Sequence, residues 1–175
     1  MQRVMISVVT ILFAAIAAAP TPAVPQPSTE VNGGGTATFN ADLDGDGDID
    51  GSHFGMDVQL NGDGSAHGHF LCLMAGDTDF LGLNLMAVEG RVQAGTVNAD
   101  QTVSFSGVAT VNLGNMGQLR GVPFTVTVRE GGPGVGTLKL TVIGAFDGVP
   151  GDTITGNGNY DLPVETVSSG QIKVK

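Results

Sequence analysis

Five carboxylates stand on alternate positions of one short stretch: Asp42, Asp44, Asp46, Asp48 and Asp50, with Gly45, Gly47 and Gly51 between and after them. No basic residue is near. Such a run repels itself unless it spreads into water or gathers around a cation. The spacing fits a calcium loop: side chains at positions 1, 3 and 5 (Asp42, Asp44, Asp46), glycine for the sharp turn at position 6 (Gly47), a backbone carbonyl from Asp48 at 7, apolar Ile49 at 8 and Asp50 at 9. Ca²⁺ takes six to eight oxygens, and the loop offers most of them. Position 12 departs from the pattern. It holds His53, and imidazole is a poor ligand for Ca²⁺. Asp57 is the residue expected to replace the missing carboxylate. The alternative is a solvated acidic loop without metal.

His67 and His69 form a second constellation. Residues i and i+2 of a strand face the same way, so two imidazoles there could share a transition metal. A third ligand would have to come from His53, Asp57 or Asp63. The alternative is two histidines on a polar strand face. Other chemistry finds little support. No Gly-x-Ser-x-Gly elbow is present, and three histidines placed this way do not suggest a triad. The carboxylates cluster in one loop, so no glycosidase pair can be picked out. Gly131–Gly136 lacks the following helix and lysine that cradle phosphate.

The elements that must position these residues are β-strands. The chain has 175 residues, enough for one domain with a core, and 28 of them are glycine. With eight Phe, one Tyr and no Trp, the core falls to Val, Leu, Ile, Met and Phe on short elements joined by glycine turns. Helices disfavour that composition. The net charge of −10 is uneven: eleven acids and no base lie between Arg3 and Arg91. A nucleic-acid or anionic-membrane footprint is thereby excluded, and cations are the expected partners of the acidic half. Cys72 is the single cysteine, so no intrachain disulfide forms. It lies in the apolar run Phe70–Met74 and is expected to be a buried small hydrophobe, with a reactive or dimer-forming thiol as the alternative.

Residues 1–19 read as a secretory signal peptide, with Arg3 before an apolar, Ala-rich stretch too short for a stable membrane span. Residues 20–35 read as a Pro/Gly-rich linker, Gly33-Gly34-Gly35 completing a hinge. Residues 36–175 form a single β-domain. Within it the period is two. Phe54, Met56, Val58 and Leu60 alternate with polar residues; so do Val103, Phe105, Ala109 and Val111, and again Phe124, Val126 and Val128. Asn61-Gly62-Asp63-Gly64 signals a hairpin. Strands are expected near 66–75, 81–92 and 137–143, a glycine-interrupted one within 152–162, and an edge strand at 171–175. Residues 112–121 read as a polar connection. About eight strands at this spacing predict an all-β antiparallel sandwich or flattened barrel.

Two resemblances follow from these residues. The stretch 42–53 resembles the calcium loop of dockerin repeats, though set between strands and without a second copy. The succession Ala66-His-Gly-His-Phe, Ala87-Val-Glu-Gly-Arg-Val, Val103-Ser-Phe-Ser-Gly-Val-Ala-Thr-Val and Val122-Pro-Phe-Thr-Val-Thr-Val-Arg-Glu-Gly-Gly-Pro-Gly resembles the post-COAP-1-type β-domain of bacterial secreted proteins. The last motif departs from that family's Asp-Asn-Gly-Glu-Pro-Gly ending. The resemblance implies an extracellular β-module and supplies no catalytic residues.

The expected function is a secreted, extracellular or periplasmic, non-enzymatic β-domain with a structural, adhesive or cell-surface role, its acidic loop holding Ca²⁺ through Asp42, Asp44, Asp46, Asp48, Asp50 and Asp57. A cell-surface or matrix component is the expected partner. Two other classes stay open. One is a small-ligand binder with an apolar cavity lined by the Leu81–Met86 region; the other is a metalloenzyme built on His53, His67 and His69.

Overall fold

A computed structural model describes residues 28–40, 42, 50–75, 85–149 and 151–175. The expected leader and the proline-rich start of the linker lie outside the described residues, as do Asp44, Asp46 and Asp48. The rest is all-β: nine antiparallel strands in one sheet. They are β1 (Thr29–Thr38), β2 (Gly51–Leu60), β3 (Ser65–Ala75), β4 (Leu85–Val97), β5 (Val103–Asn112), β6 (Gln118–Arg129), β7 (Thr137–Ile143), β8 (Asn159–Asp161) and β9 (Glu165–Val174).

β1 to β6 form a meander in which each strand pairs with the next. β6 then pairs with β7, β7 with β8 and β9, and β9 with β1, so the hydrogen-bonded order returns to its start and the sheet is ring-like. β8 and β9 run along β7 as one interrupted strand. Thr141 faces Asp161 and Leu138 faces Glu165, so one extra residue is accommodated on the β8–β9 side. Pro163, which has no N–H to give a ladder, lies in that bulge. The Leu162 N–H still reaches the Leu140 carbonyl at 3.1 Å.

The period-two pattern sets which side chains face inward. Ser52, Phe54, Met56, Val58 and Leu60 are buried on β2 while His53, Asp57 and Gln59 are exposed. Phe124, Val126 and Val128 of β6 meet Leu138, Leu140 and Val142 of β7 inside. Phe70 stacks on Phe124 with ring centroids 5.7 Å apart and meets Phe105 edge-on at 5.8 Å. Gly90 makes room for this packing: a Cβ there would lie 2.5 Å from the Phe124 ring.

Two hairpins use one device. At Asn61–Ser65 the Asn61 N–H bonds the Ser65 carbonyl at 2.8 Å, and Asp63 accepts from the Ser65 N–H and hydroxyl at 2.9 and 2.6 Å. At Asn98–Thr102 the same atoms repeat, with Asp100 accepting from the Thr102 N–H and hydroxyl at 3.1 and 2.6 Å. The first matches the expected turn. The second carries no Asn-Gly or Asp-Gly pair, and Gln101 takes the left-handed backbone (φ 66°) that Gly64 supplies in the first.

Three expected boundaries move. β1 starts at Thr29, so Gly33, Gly34 and Gly35 lie inside a strand and not in a hinge. For Gly33 and Gly35 the reason is close approach. Gly35 faces Gly170 of β9, and a Cβ on either would lie 2.0 Å from a carbonyl oxygen of the other strand. The segment 171–175 is not an edge: it belongs to β9, which is paired to β1 from Val31 to Thr38 and has Ile172 buried. Gln118–Gly121, expected in a connection, begins β6, after one 3-10 turn at Gly114–Met116.

Candidate functional site

The Asp-rich stretch is the connection between β1 and β2, and its base is clasped. Past the last ladder pair, Thr38 with Gly51, the Phe39 N–H bonds the Asp50 carbonyl at 2.9 Å. Phe39 is buried in the core. Asp42 and Asp50 are thus held at the two ends of a loop springing from a rigid hairpin. Asp57 is placed elsewhere. It sits six residues into β2 beyond Gly51, exposed, with Asn32 and His69 as its cross-strand neighbours. At about 3.3 Å per residue it lies roughly 20 Å along the strand from the loop's base.

The three histidines do not converge. His67 and His69 are exposed together on the outer face of β3, as the alternation required. His53 lies opposite Leu73 while His69 lies opposite Asp57. The four-residue offset puts roughly 13 Å between the two registers. Among the described residues, no group of three His, Cys, Asp or Glu side chains could hold a metal ion.

The outer face does form an open groove of about 740 Å³ over β2 to β6. Asp57, His69 and Arg91 line it in one cross-strand row, Leu71 and Glu89 in the next. Gly55, with open space where its side chain would be, leaves the floor low. The surface is amphoteric and shallow.

The least expected polar group is inside. Glu165, the first residue of β9, is 0% exposed. Its Oε2 accepts a 2.5 Å hydrogen bond from the buried Ser52 hydroxyl of β2, and its Oε1 has no hydrogen-bond partner among the described residues. Burial pushes the Glu165 carboxyl up to about 7, against the opposing effect of its bonds from Ser52. The Cys72 thiol, on the inward face of β3, is pushed far above the ordinary thiol range by burial and further by the Glu165 charge. It is an inert core thiol, as its apolar run suggested. Ser52 is position 11 of the calcium-loop pattern, two residues past Asp50 at the base of the connection. Sequence reading missed Glu165 because it follows Leu162-Pro163-Val164 without a clear alternation. The one available signal was a lone acid entering a strand at a position of inward phase with Val167.

A second carboxylate-built loop lies between β7 and β8. Asp147 accepts from the Gly156 and Gly158 N–H groups at 2.7 and 2.9 Å. Asp152 accepts from the Gly148, Ile154 and Asp161 N–H groups at 2.8, 3.1 and 3.1 Å, and these bonds hold its carboxyl below the usual range. Asp161 takes the Thr141 hydroxyl and the Asn157 amide. These acids are structural acceptors that fold an irregular loop, since unpaired backbone N–H groups are costly.

No family model, curated protein or solved structure matches the chain.

Proposed function

We propose that this chain is a secreted, non-enzymatic β-domain with a structural or adhesive role, in which Asp42, Asp44, Asp46, Asp48 and Asp50 hold Ca²⁺ in the β1–β2 connection. The carrying observation is the clasp at the loop's base. The Phe39–Asp50 bond and the ladder behind it bring the two ends of the acidic stretch together, which concentrates carboxylates and makes a cation the natural means of relieving their repulsion. Asp57 is left out of the ligand set because the strand carries it away from the loop. Water or backbone oxygens complete the sphere in its place.

The four motifs behind the post-COAP-1-type resemblance fall on β3, β4, β5 and β6 in order, which supports an extracellular module of that kind. The small-ligand alternative turns on a cavity lined by the Leu81–Met86 region, of which residues 81–84 lie outside the described residues; against it, Phe70, Phe105 and Phe124 pack on one another in the interior. The metalloenzyme alternative loses ground because His53 stands apart from His67 and His69. Isothermal titration of the full mature chain with Ca²⁺ tests the proposal. One binding event, lost in Asp44→Ala and Asp46→Ala and retained in Asp57→Ala, is the expected outcome. Heat equal to the dilution blank at millimolar Ca²⁺ would overturn it.

A further inference from the structure

The β7–β9 pairing is the shortest in the ring. β7 is held to β8 by three residue pairs and to β9 by two, with a bulge and Pro163 between them. Beyond the seam β9 is held to the turn before β7: the Val167 N–H bonds the Gly136 carbonyl and the Gly134 N–H the Val167 carbonyl, both at 2.9 Å, and Gly131 and Ile172 exchange N–H···O bonds at 3.0 and 2.9 Å. Immediately after the bulge, opposite Leu138, stands Glu165, fully buried, with Oε1 unpartnered. An ionised carboxylate with an orphaned oxygen in an apolar interior is costly, and a neutral carboxyl much less so.

Among the described residues no countercharge acts on the Glu165 carboxyl. Neighbouring inward faces are apolar, with Ala37 and Val167 flanking and Leu138 and Leu140 on β7. The titratable groups sharing this end of the ring are the Cys72 thiol of β3, which senses the Glu165 charge, and the Tyr160 phenol of β8. Burial first, then the Asp152 and Asp50 charges, keep that phenol protonated. Among the described residues, burial and the bonds from Ser52 set the proton affinity of the Glu165 carboxyl, with no Lys, Arg or His taking part.

We propose that Glu165 is a pH-sensitive latch on the β7–β9 seam: neutral, it lets the seam stay closed, and ionised, with its proton released to solvent, it drives β7 and β9 apart at the end of the ring where Phe39 bonds Asp50. The folded carboxyl holds its proton up to about pH 7 while the unfolded one loses it near 4.5. The closed seam is therefore favoured at acid pH and weakens as pH rises through that window.

The test is carboxyl-carbon NMR of the full mature chain, with hydrogen exchange of the seam read at pH 5.5 and 8.5 after correction for intrinsic rates. Glu165 is expected to titrate near pH 7. Protection over 137–143 and 159–167 should fall about thirtyfold between the two pH values, while the β3–β4 ladder keeps its protection. In Glu165→Gln the seam should be indifferent to pH. A wild-type titration in the ordinary glutamate range, seam protection that moves in step with β3–β4, or an unchanged pH response in Glu165→Gln each overturns the latch. The wild-type titration decides the matter even if the variant fails to fold.

Discussion

The Ser52 hydroxyl donates to the Glu165 carboxylate across the interior of the ring at 2.5 Å, joining the start of β2 to the start of β9. Among the described residues it is the side-chain bond that carboxyl makes, and its other oxygen has none. Ser52→Ala should therefore cost more than an exposed serine would. The expected loss is about 1–3 kcal/mol at neutral pH, read by urea denaturation. Because the Ser52 bonds lower the carboxyl's proton affinity, the variant should also shift the Glu165 titration upward. A loss under 0.5 kcal/mol, taken as roughly the scatter of surface substitutions, would show that the bond carries no weight.

The pH dependence has two opposed arms. Glu165 binds its proton more tightly folded than unfolded, so its contribution is lost as pH rises from about 4.5 to about 7. A shift of that size corresponds to about 3 kcal/mol at most. Asp63, Asp100 and Asp152 are held below the usual range by hydrogen bonds from Ser65, Thr102 and the Gly148 N–H respectively. Their contribution is present above the ordinary carboxylate range and disappears as pH falls through and below it. Stability measured by chemical denaturation should peak in weak acid, between the two arms. In Glu165→Gln the alkaline decline should flatten while the acid decline stays.

Two glycines separate packing from conformation. Gly90→Ala pushes a methyl into the Phe124 ring, which stacks on Phe70; overpacking of this kind should cost about 1–3 kcal/mol. Gly55→Ala points into open space on the outer face. It should be neutral or stabilising by up to about 1 kcal/mol, since the unfolded chain loses freedom. Equal effects in thermal melts would contradict the assigned inward and outward faces.

Cys72 is buried, and burial raises its thiol far above the usual range. A thiol reagent such as DTNB should leave it untouched in the native protein at pH 8 and titrate one thiol per chain in guanidinium. Rapid native labelling would place the residue on the surface.

Asp147 holds two glycine N–H groups of the β7–β8 loop. Asp147→Ala orphans both. Amides 148–158 should exchange faster, with an overall loss of about 1–2 kcal/mol that leaves the β2–β3 ladder protected. Unchanged loop exchange would show that the carboxylate does not organise the loop.

Alternation made most strands readable, because each inward set on β2, β5, β6 and β7 is contiguous and apolar. The first hairpin was readable from its glycines. Its twin at Asn98–Thr102 was not, since the device there is Asp100 bonding two residues ahead and the backbone accepts Gln101 at positive φ. Gly33–Gly35 looked like a hinge because a glycine run signals freedom when nothing shows what packs on it. The β9 backbone, over 130 residues away in sequence, is what requires Gly33 and Gly35. Ring closure and the buried Glu165 depend on that same long-range pairing, which no local pattern encodes. The acidic loop was legible as chemistry from its spacing alone. The position of Asp57 was not, because the length and direction of β2 decide it.

Thermal melting of the protein in EDTA and then in Ca²⁺ or Zn²⁺ puts calcium binding by the acidic loop to the test, because a ligand bound only by the native state raises stability by mass action. Millimolar Ca²⁺ should raise the melting temperature by several degrees, roughly what 1–2 kcal/mol delivers in a domain of this size. Zn²⁺ should do less, and Asp46→Ala should erase the Ca²⁺ shift. An identical melting temperature in EDTA and in Ca²⁺ would contradict it.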